Sequence, residues 1–274
     1  MPELPEVEVL RRSLEPRIRG KTIEAVRVWS SALREPVNGP TLRRRLLGRR
    51  VLEADRRAKY LLLHAEGGST LVVHLGMSGR LTLVEAGEAR QAHEHVGIYL
   101  DSGERLRFRD PRRFGLVFAL PTGRLQVDRH FRHLGLEPLA PTFSGQVLAE
   151  RAKGRRGPVK SYLMDARVAV GVGNIYASEA LFAAGIHPRR SVARISAASW
   201  QRLADSLRRT LERAIEQGGT TISDFTDSGG NEGYFQVSLE IYDRCGEVCT
   251  RCGAVIRRIV QSGRSTYYCP MCQR

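Results

Sequence analysis

Residues 60–75 read Tyr60-Leu61-Leu62-Leu63-His64-Ala65-Glu66-Gly67-Gly68-Ser69-Thr70-Leu71-Val72-Val73-His74-Leu75, two short apolar runs divided by a glycine pair. Runs of this length with turn residues between them suit strands. The same texture continues outward to Val96-Gly97-Ile98-Tyr99-Leu100 and Leu116-Val117-Phe118, punctuated by Gly76 to Gly79 and Ser102-Gly103. From Thr22 to about Leu120 no helix of crossover length separates these runs, so an antiparallel β-sandwich fits better than a parallel sheet.

The flanks have a different period. Leu4, Val7, Leu10, Leu14 and Ile18 recur at helical spacing, with Pro5 tolerated in the first turn. Beyond a Pro/Gly/Ser-bearing linker, Pro138 to Gly145, helical patterns cover about 146–153, 158–166, 174–184 and 197–217. The last places Trp200, Leu203, Leu207, Leu211 and Ile215 on one face and stops at Gly218-Gly219. A long polar loop, 219–235, follows, and loops of that length are usually functional or mobile. The fold class is therefore α+β.

Charge sets the partner. Forty-four Lys and Arg against 29 Asp and Glu leave +15 on 274 residues. Such a surplus favours a polyanion, because phosphates and released counterions reward it. No apolar stretch approaches the roughly 20 residues of a membrane span. The acidic, proline-bearing start, Met1-Pro2-Glu3-Leu4-Pro5-Glu6, is unlike a signal peptide, so a cytoplasmic location is expected.

All five cysteines lie between Cys245 and Cys272. Cys249-Thr-Arg-Cys252 and Cys269-Pro-Met-Cys272 are two CxxC knuckles joined by sixteen residues, a spacer that suits a β-hairpin. Four thiolates would close the coordination sphere of one Zn²⁺ and make it structural, since no position is left for water. Cys245 reads as a spare thiol. Arg257, Arg258 and Arg264 lie within the hairpin and suggest a basic tip, although solvated arginines are the plain alternative.

Removal of Met1 would expose Pro2 as a secondary amine. An α-amino group titrates near ~7.7–8, so much of it is unprotonated at neutral pH. Condensed with an aldehyde, a secondary amine gives a permanently cationic iminium that accepts electrons from an adjacent elimination. Glu3, with Glu6 a turn further on, offers a carboxylate for proton transfer. The plain alternative is that Pro and Glu simply suit a helix start.

The opening Met1-Pro-Glu-Leu-Pro-Glu-Val-Glu8 and the C-terminal cysteines together resemble the formamidopyrimidine-DNA glycosylases, bacterial enzymes that excise oxidised purines. Four further blocks carry the resemblance along the chain: Arg56-Arg57-Ala58-Lys59-Tyr60, His74-Leu75-Gly76-Met77-Ser78-Gly79, Asp110-Pro111-Arg112-Arg113-Phe114-Gly115, and Gly171-Val-Gly-Asn-Ile-Tyr-Ala-Ser-Glu179. The resemblance implies an N-terminal β-sandwich with an N-terminal helix (1–135), a helix–two-turn–helix domain with a lesion loop (136–235) and a zinc β-hairpin (236–274). It implies base-excision repair of 8-oxoguanine and formamidopyrimidines in damaged double-stranded DNA by a monomer, in the bacterial cytoplasm at the nucleoid, by a DNA glycosylase that is also an AP lyase.

By the same resemblance Pro2 attacks C1′ of the damaged nucleotide and Glu3 donates a proton. Lys59 then assists β-elimination and Arg264 δ-elimination. His74, His93, Arg156 and Lys160 match DNA contacts. The residue chemistry agrees: Lys59 sits among Arg56 and Arg57, whose charges would lower its pKa. Met77 and Phe114, apolar on glycine- and arginine-bearing turns, suit wedges into a base stack, and Arg112 could donate to the orphaned base. A flipped base is required because C1′ of a stacked nucleotide is closed to an attacking amine. Gly171-Val-Gly-Asn174 opens a helix and reads as a phosphate seat, with Asn174 as N-cap the simpler alternative. Two departures stand out: Ser223 where some relatives carry lysine, and Leu136 where proline is common.

Two other readings compete. An endonuclease VIII-like glycosylase for oxidised pyrimidines typically starts Pro-Glu-Gly-Pro, whereas this chain has Pro2-Glu3-Leu4-Pro5. A zinc-dependent damage sensor without catalysis would keep charge, zinc and wedges, but leaves Pro2, Glu3 and Lys59 without a purpose.

Overall fold

The computed structural model describes residues 2–219 and 239–274. They form two compact units, residues 2–132 with 217–219 and residues 133–216 with 239–274. Most of the loop at 219–235, Ser223 included, lies outside the described residues.

The first unit opens with helix α1, Leu4–Ile18, which buries Leu4, Val7, Leu10, Leu14 and Ile18 along one stripe. Strand β1 (Ile23–Val28), helix α2 (Gly39–Leu46) and strands β2 (Val51–Arg57), β3 (Tyr60–Ala65) and β4 (Ser69–His74) follow. Strands β5 (Arg80–Glu85), β6 (Glu94–Leu100), β7 (Glu104–Arg109) and β8 (Leu116–Pro121) complete it. They make two four-stranded sheets, ordered β1-β6-β7-β5 and β2-β3-β4-β8, in which every pairing is antiparallel. Leu61, Leu63, Leu71 and Val73 of one sheet share a core with Val96, Ile98, Leu106 and Phe108 of the other, and α1 and α2 add Leu14, Leu42 and Leu46. The antiparallel sandwich expected between Thr22 and about Leu120 is present.

Helix α2 was not expected. It has eight residues, and only Leu42 and Leu46 of its apolar side chains are buried, so its period is too brief to register in sequence. The Asn38 side chain starts it by accepting from the Thr41 N–H at 2.9 Å.

β5 and β6 both pair with β7, so they run in the same direction without touching. The connection 86–93 must therefore return along β7, a task that usually falls to a helix. Here it is irregular chain.

The second unit contains α3 (Gly145–Ala152), α4 (Val159–Leu163), α5 (Asn174–Ala183), α6 (Ala197–Glu216) and the hairpin β9 (Arg257–Gln261) and β10 (Arg264–Tyr268). α6 buries Trp200, Leu203, Leu207, Leu211 and Ile215, the face read from the sequence. Each such side chain is worth about 2 kcal/mol in lost water contact. The cysteine module shares its core with α5: Phe182 packs with Ile241, Ile256, Tyr267, Cys249 and Cys269. Among the described residues no helix is long and apolar enough to cross a membrane.

Candidate functional site

Pro2 is buried and Glu3 is the N-cap of α1. Glu3 and Glu6 form a reciprocal capping box, in which the Glu3 N–H donates to Glu6 Oε2 at 2.7 Å and the Glu6 N–H to the Glu3 carboxylate. Two donors at the helix start are thereby satisfied, and both carboxylates are held beside residue 2. The start of the polar loop touches this point: a Cβ on Gly219 would lie 3.3 Å from Glu6.

Lys59 occupies the two-residue turn between β2 and β3, half-buried, after Ala58 in a left-handed conformation (φ 56°). The turn is tied to α1 through one arginine. The Arg56 guanidinium lies 3.2 Å from Glu8 and donates to the Ala58 carbonyl at 3.0 Å. Burial raises the Glu8 carboxyl, but hydrogen bonds from Arg11 and Arg12 and the charges of Arg11 and Arg56 outweigh it and hold its pKa below the ordinary range.

Met77 and Phe114 are both substantially exposed despite their size, and the Arg112 guanidinium lies 5.2 Å from the centre of the Phe114 ring. The two turns share one anchor. Asp110, fully buried, accepts from the Ser78 hydroxyl at 2.7 Å and from the Gly115 N–H at 2.7 Å. Gly76 has φ 67°, and a Cβ there would stand 2.4 Å from the Phe114 carbonyl carbon, so only glycine lets the turns approach.

His74 Nδ1 accepts the Gly76 N–H at 3.0 Å, which leaves Nε2 as the protonated nitrogen of the neutral ring. Burial, with the charges of Lys59, Arg34 and His130, lowers its pKa to about 4. His93 is exposed, with φ 63°, and its carbonyl accepts the Asp110 N–H at 3.0 Å.

In the second unit Lys160 and Asn174 come together. Lys160 Nζ donates to Asn174 Oδ1 at 2.7 Å and to Thr266 Oγ1 at 2.8 Å, while Asn174 Nδ2 donates to the Ser265 carbonyl at 2.9 Å. This knot joins α4, α5 and β10 beside a cavity of about 140 Å³ that Lys160, Asn174, Gln261 and Arg264 help to line. The N-cap of α5 is Gly173, not Asn174, whose side chain is turned to Lys160 and the hairpin; the backbone of a glycine reaches the cap geometry unaided. Arg264 is exposed at the hairpin tip, after Ser262 and Gly263, both with positive φ (49° and 74°), as a two-residue turn prefers. Arg156 is exposed, and its carbonyl accepts from the Ser191 hydroxyl at 2.8 Å.

Cys249, Cys252, Cys269 and Cys272 place all four Sγ atoms within 4.8 Å of one another. The 249–272 pair is separated by 3.9 Å and the 252–269 pair by 3.4 Å. Four sulfurs at ~2.3 Å from one zinc ion stand about 3.8 Å apart, so the set fits a closed tetrahedral Zn²⁺ site. Cys245 is exposed and outside the group. Glu179 of α5 fastens the module, accepting the backbone N–H groups of Glu240, Ile241 and Tyr242 at 3.0, 2.9 and 2.8 Å.

Asp110, Glu8 and Glu179 are supporting residues that motif reading passed over. Asp110 and Glu179 stand inside the quoted blocks, Glu8 closes another, and an acid within a motif is the available signal.

Family models match three consecutive parts of the chain: the formamidopyrimidine-DNA glycosylase N-terminal domain at residues 1–117, the H2TH domain of the same enzymes at 134–226, and the zinc finger found in FPG and IleRS at 246–274. The architecture is thus that of a DNA glycosylase with a zinc finger, and the chain is a DNA glycosylase of base-excision repair. It belongs to the formamidopyrimidine-DNA glycosylase family. The formamidopyrimidine-DNA glycosylase of Acidithiobacillus ferrooxidans is 49% identical over 276 residues, and that of Pseudomonas paraeruginosa 51% over 275, each comparison covering 100% of both chains. Among solved structures, Lactococcus lactis Fpg in complex with abasic-site DNA superposes with a TM-score of 0.91 at 32% identity over 99% of both chains. Thermus thermophilus MutM (Fpg) superposes at 0.88 with 39% identity, over 99% of this chain and 98% of that one.

Proposed function

We propose that this glycosylase excises oxidised purines, 8-oxoguanine and formamidopyrimidines, from damaged double-stranded DNA and then cleaves the strand as an AP lyase. Pro2, once Met1 is removed, attacks C1′ of the lesion nucleotide as a secondary amine. The bond to the base breaks, the base leaves protonated, and the sugar opens to a cationic iminium on the proline nitrogen. Glu3 supplies one proton and the proline nitrogen gives up the other, so the departing base and the opened O4′ hydroxyl are both protonated. Lys59 assists β-elimination and Arg264 δ-elimination, so the sugar is lost. Met77, Arg112 and Phe114 fill the space left by the flipped nucleotide, and His74, His93, Arg156, Lys160 and Asn174 hold the backbone.

The observation that carries this reading is the Glu3–Glu6 capping box, which confines two carboxylates to the residues next to Pro2. The shared Asp110 anchor of the Met77 and Phe114 turns supports the wedge assignment. The zinc is structural and takes no part in the chemistry, since four thiolates complete its shell. A three-part organisation (1–135, 136–235 and 236–274), action as a monomer on one duplex, and residence in the bacterial cytoplasm at the nucleoid complete the proposal.

Borohydride added during turnover of 8-oxoguanine duplex should trap a covalent protein–DNA adduct, and the intact mass should lack Met1. Pro2→Gly should lose the adduct. An undiminished yield from Pro2→Gly overturns the nucleophile assignment, and faster release of thymine glycol than of 8-oxoguanine overturns the substrate class.

A further inference from the structure

We infer that Arg105, Arg107 and Arg109, with Glu94, form a positioning ladder that holds the 86–93 connection against β7 and so sets His93 where it meets DNA. The inference rests on the reading of His93 as a DNA contact and adds the residues that place it.

Topology creates the need. Because β7 lies between β5 and β6, residues 86–93 run back along β7 with no strand to pair with. Their carbonyls need donors from elsewhere. In β7, Leu106 and Phe108 face the core, so residues 105, 107 and 109 fall on the opposite face. All three are arginine. Arg105 Nη2 donates to the Glu88 carbonyl at 2.9 Å, Arg107 Nη2 to Ala89 at 2.9 Å, and Arg109 Nε to Ala92 at 2.8 Å. Successive rungs of the strand thus grip successive points of the connection, in the same order.

Carboxylates balance the buried cations. Glu94, fully buried, accepts from Arg105 Nη1 at 2.7 Å through Oε1 and from the Gln91 N–H at 3.0 Å through Oε2, which also lies 3.1 Å from Arg107 Nε. Glu88 accepts from Arg107 Nη1 at 2.6 Å. The Arg105 guanidinium also lies 5.6 Å from the ring centres of both Trp29 and Tyr99. The last rung, Ala92, directly precedes His93. A histidine in the left-handed region costs about 1 kcal/mol and is kept there only by its surroundings. The neighbouring links complete the frame: the His93 carbonyl accepts the Asp110 N–H, and His95 Nε2 lies 2.9 Å from the Asp110 carbonyl. Through Asp110 the ladder reaches the turn that carries Arg112 and Phe114.

The test is a double-mutant cycle on binding to a duplex with a tetrahydrofuran abasic analogue, read by fluorescence anisotropy. Arg109 is the chosen rung because it is half-exposed at a strand end; unchanged thermal unfolding verifies the fold. His93→Ala and Arg109→Ala should each raise Kd about five- to tenfold, the scale of one hydrogen bond to a charged partner. The double variant should bind no more weakly than either single one, and Arg109→Lys, which keeps a donor for Ala92, should recover affinity. Multiplying effects would mean that Arg109 touches DNA by itself, and would overturn the ladder. A silent Arg109→Ala beside a weakened His93→Ala also overturns the ladder alone. A silent His93→Ala overturns the DNA-contact reading beneath it.

Discussion

Glu8 on α1 and Arg56 on β2 lie 3.2 Å apart, and the same guanidinium donates to the carbonyl of Ala58, one residue before Lys59. The helix that begins beside Pro2 and the turn that presents Lys59 are thereby one mechanical unit. Glu8→Gln keeps the shape and removes the charge. It should cost about 1–2 kcal/mol in urea unfolding, a value between an exposed pair and a fully buried one. Because the folded pKa of Glu8 lies below the unfolded value near 4.5, its contribution is complete above that value and is lost as pH falls through the folded pKa. Glu8→Gln should therefore flatten the acid limb of the stability curve.

His74 has the opposite charge logic and the same direction of pH effect. Its folded pKa, about 4, lies below the ordinary 6.5, so the folded state favours the neutral ring. Stability from this site is complete above pH 6.5 and is lost as pH falls toward 4, by about 3 kcal/mol at most. His74→Gln offers an acceptor for the Gly76 N–H without titrating. Unfolding free energies from pH 7 to 4 should show the smaller slope in His74→Gln.

Gly76→Ala should separate the turns that carry Met77 and Phe114. The added Cβ would meet the Phe114 backbone at 2.4 Å, and φ 67° is a strained conformation for alanine. We expect a loss of about 2–3 kcal/mol in stability, as for an overpacked site. Excision from duplex DNA should fall more than cleavage of a single-stranded abasic site, which needs no wedge. Equal losses on the two substrates would contradict the wedge assignment.

Removing the metal should unfold the cysteine module. Cys269→Ser should abolish the single bound zinc in elemental analysis and weaken duplex binding, because Cys269 is also part of the core around Phe182. Cys245→Ser should retain one zinc per chain.

Short-range signals were readable in the chain itself. The alternation Arg105-Leu106-Arg107-Phe108-Arg109 marks a strand with one apolar face, but nothing local says that residues 86–93 cover the other. Ser78 and Asp110 are 32 positions apart, and each looks like ordinary turn chemistry until they meet at 2.7 Å. Asn174 was legible as a helix start, yet its side chain serves Lys160 and the hairpin and leaves the capping to Gly173.

The amino-acid order alone determined the strand-rich first half, the apolar faces of α1 and α6, the cysteine knuckles and the basic charge, since each depends on neighbours within a few residues. Tertiary structure alone decided which carboxylate restrains which turn, that β7 separates β5 from β6, and that a row of arginines becomes the support of an unpaired segment. Those outcomes depend on buried polar groups finding partners across long stretches of chain, and such pairings exist only once the sheets have closed over a common core.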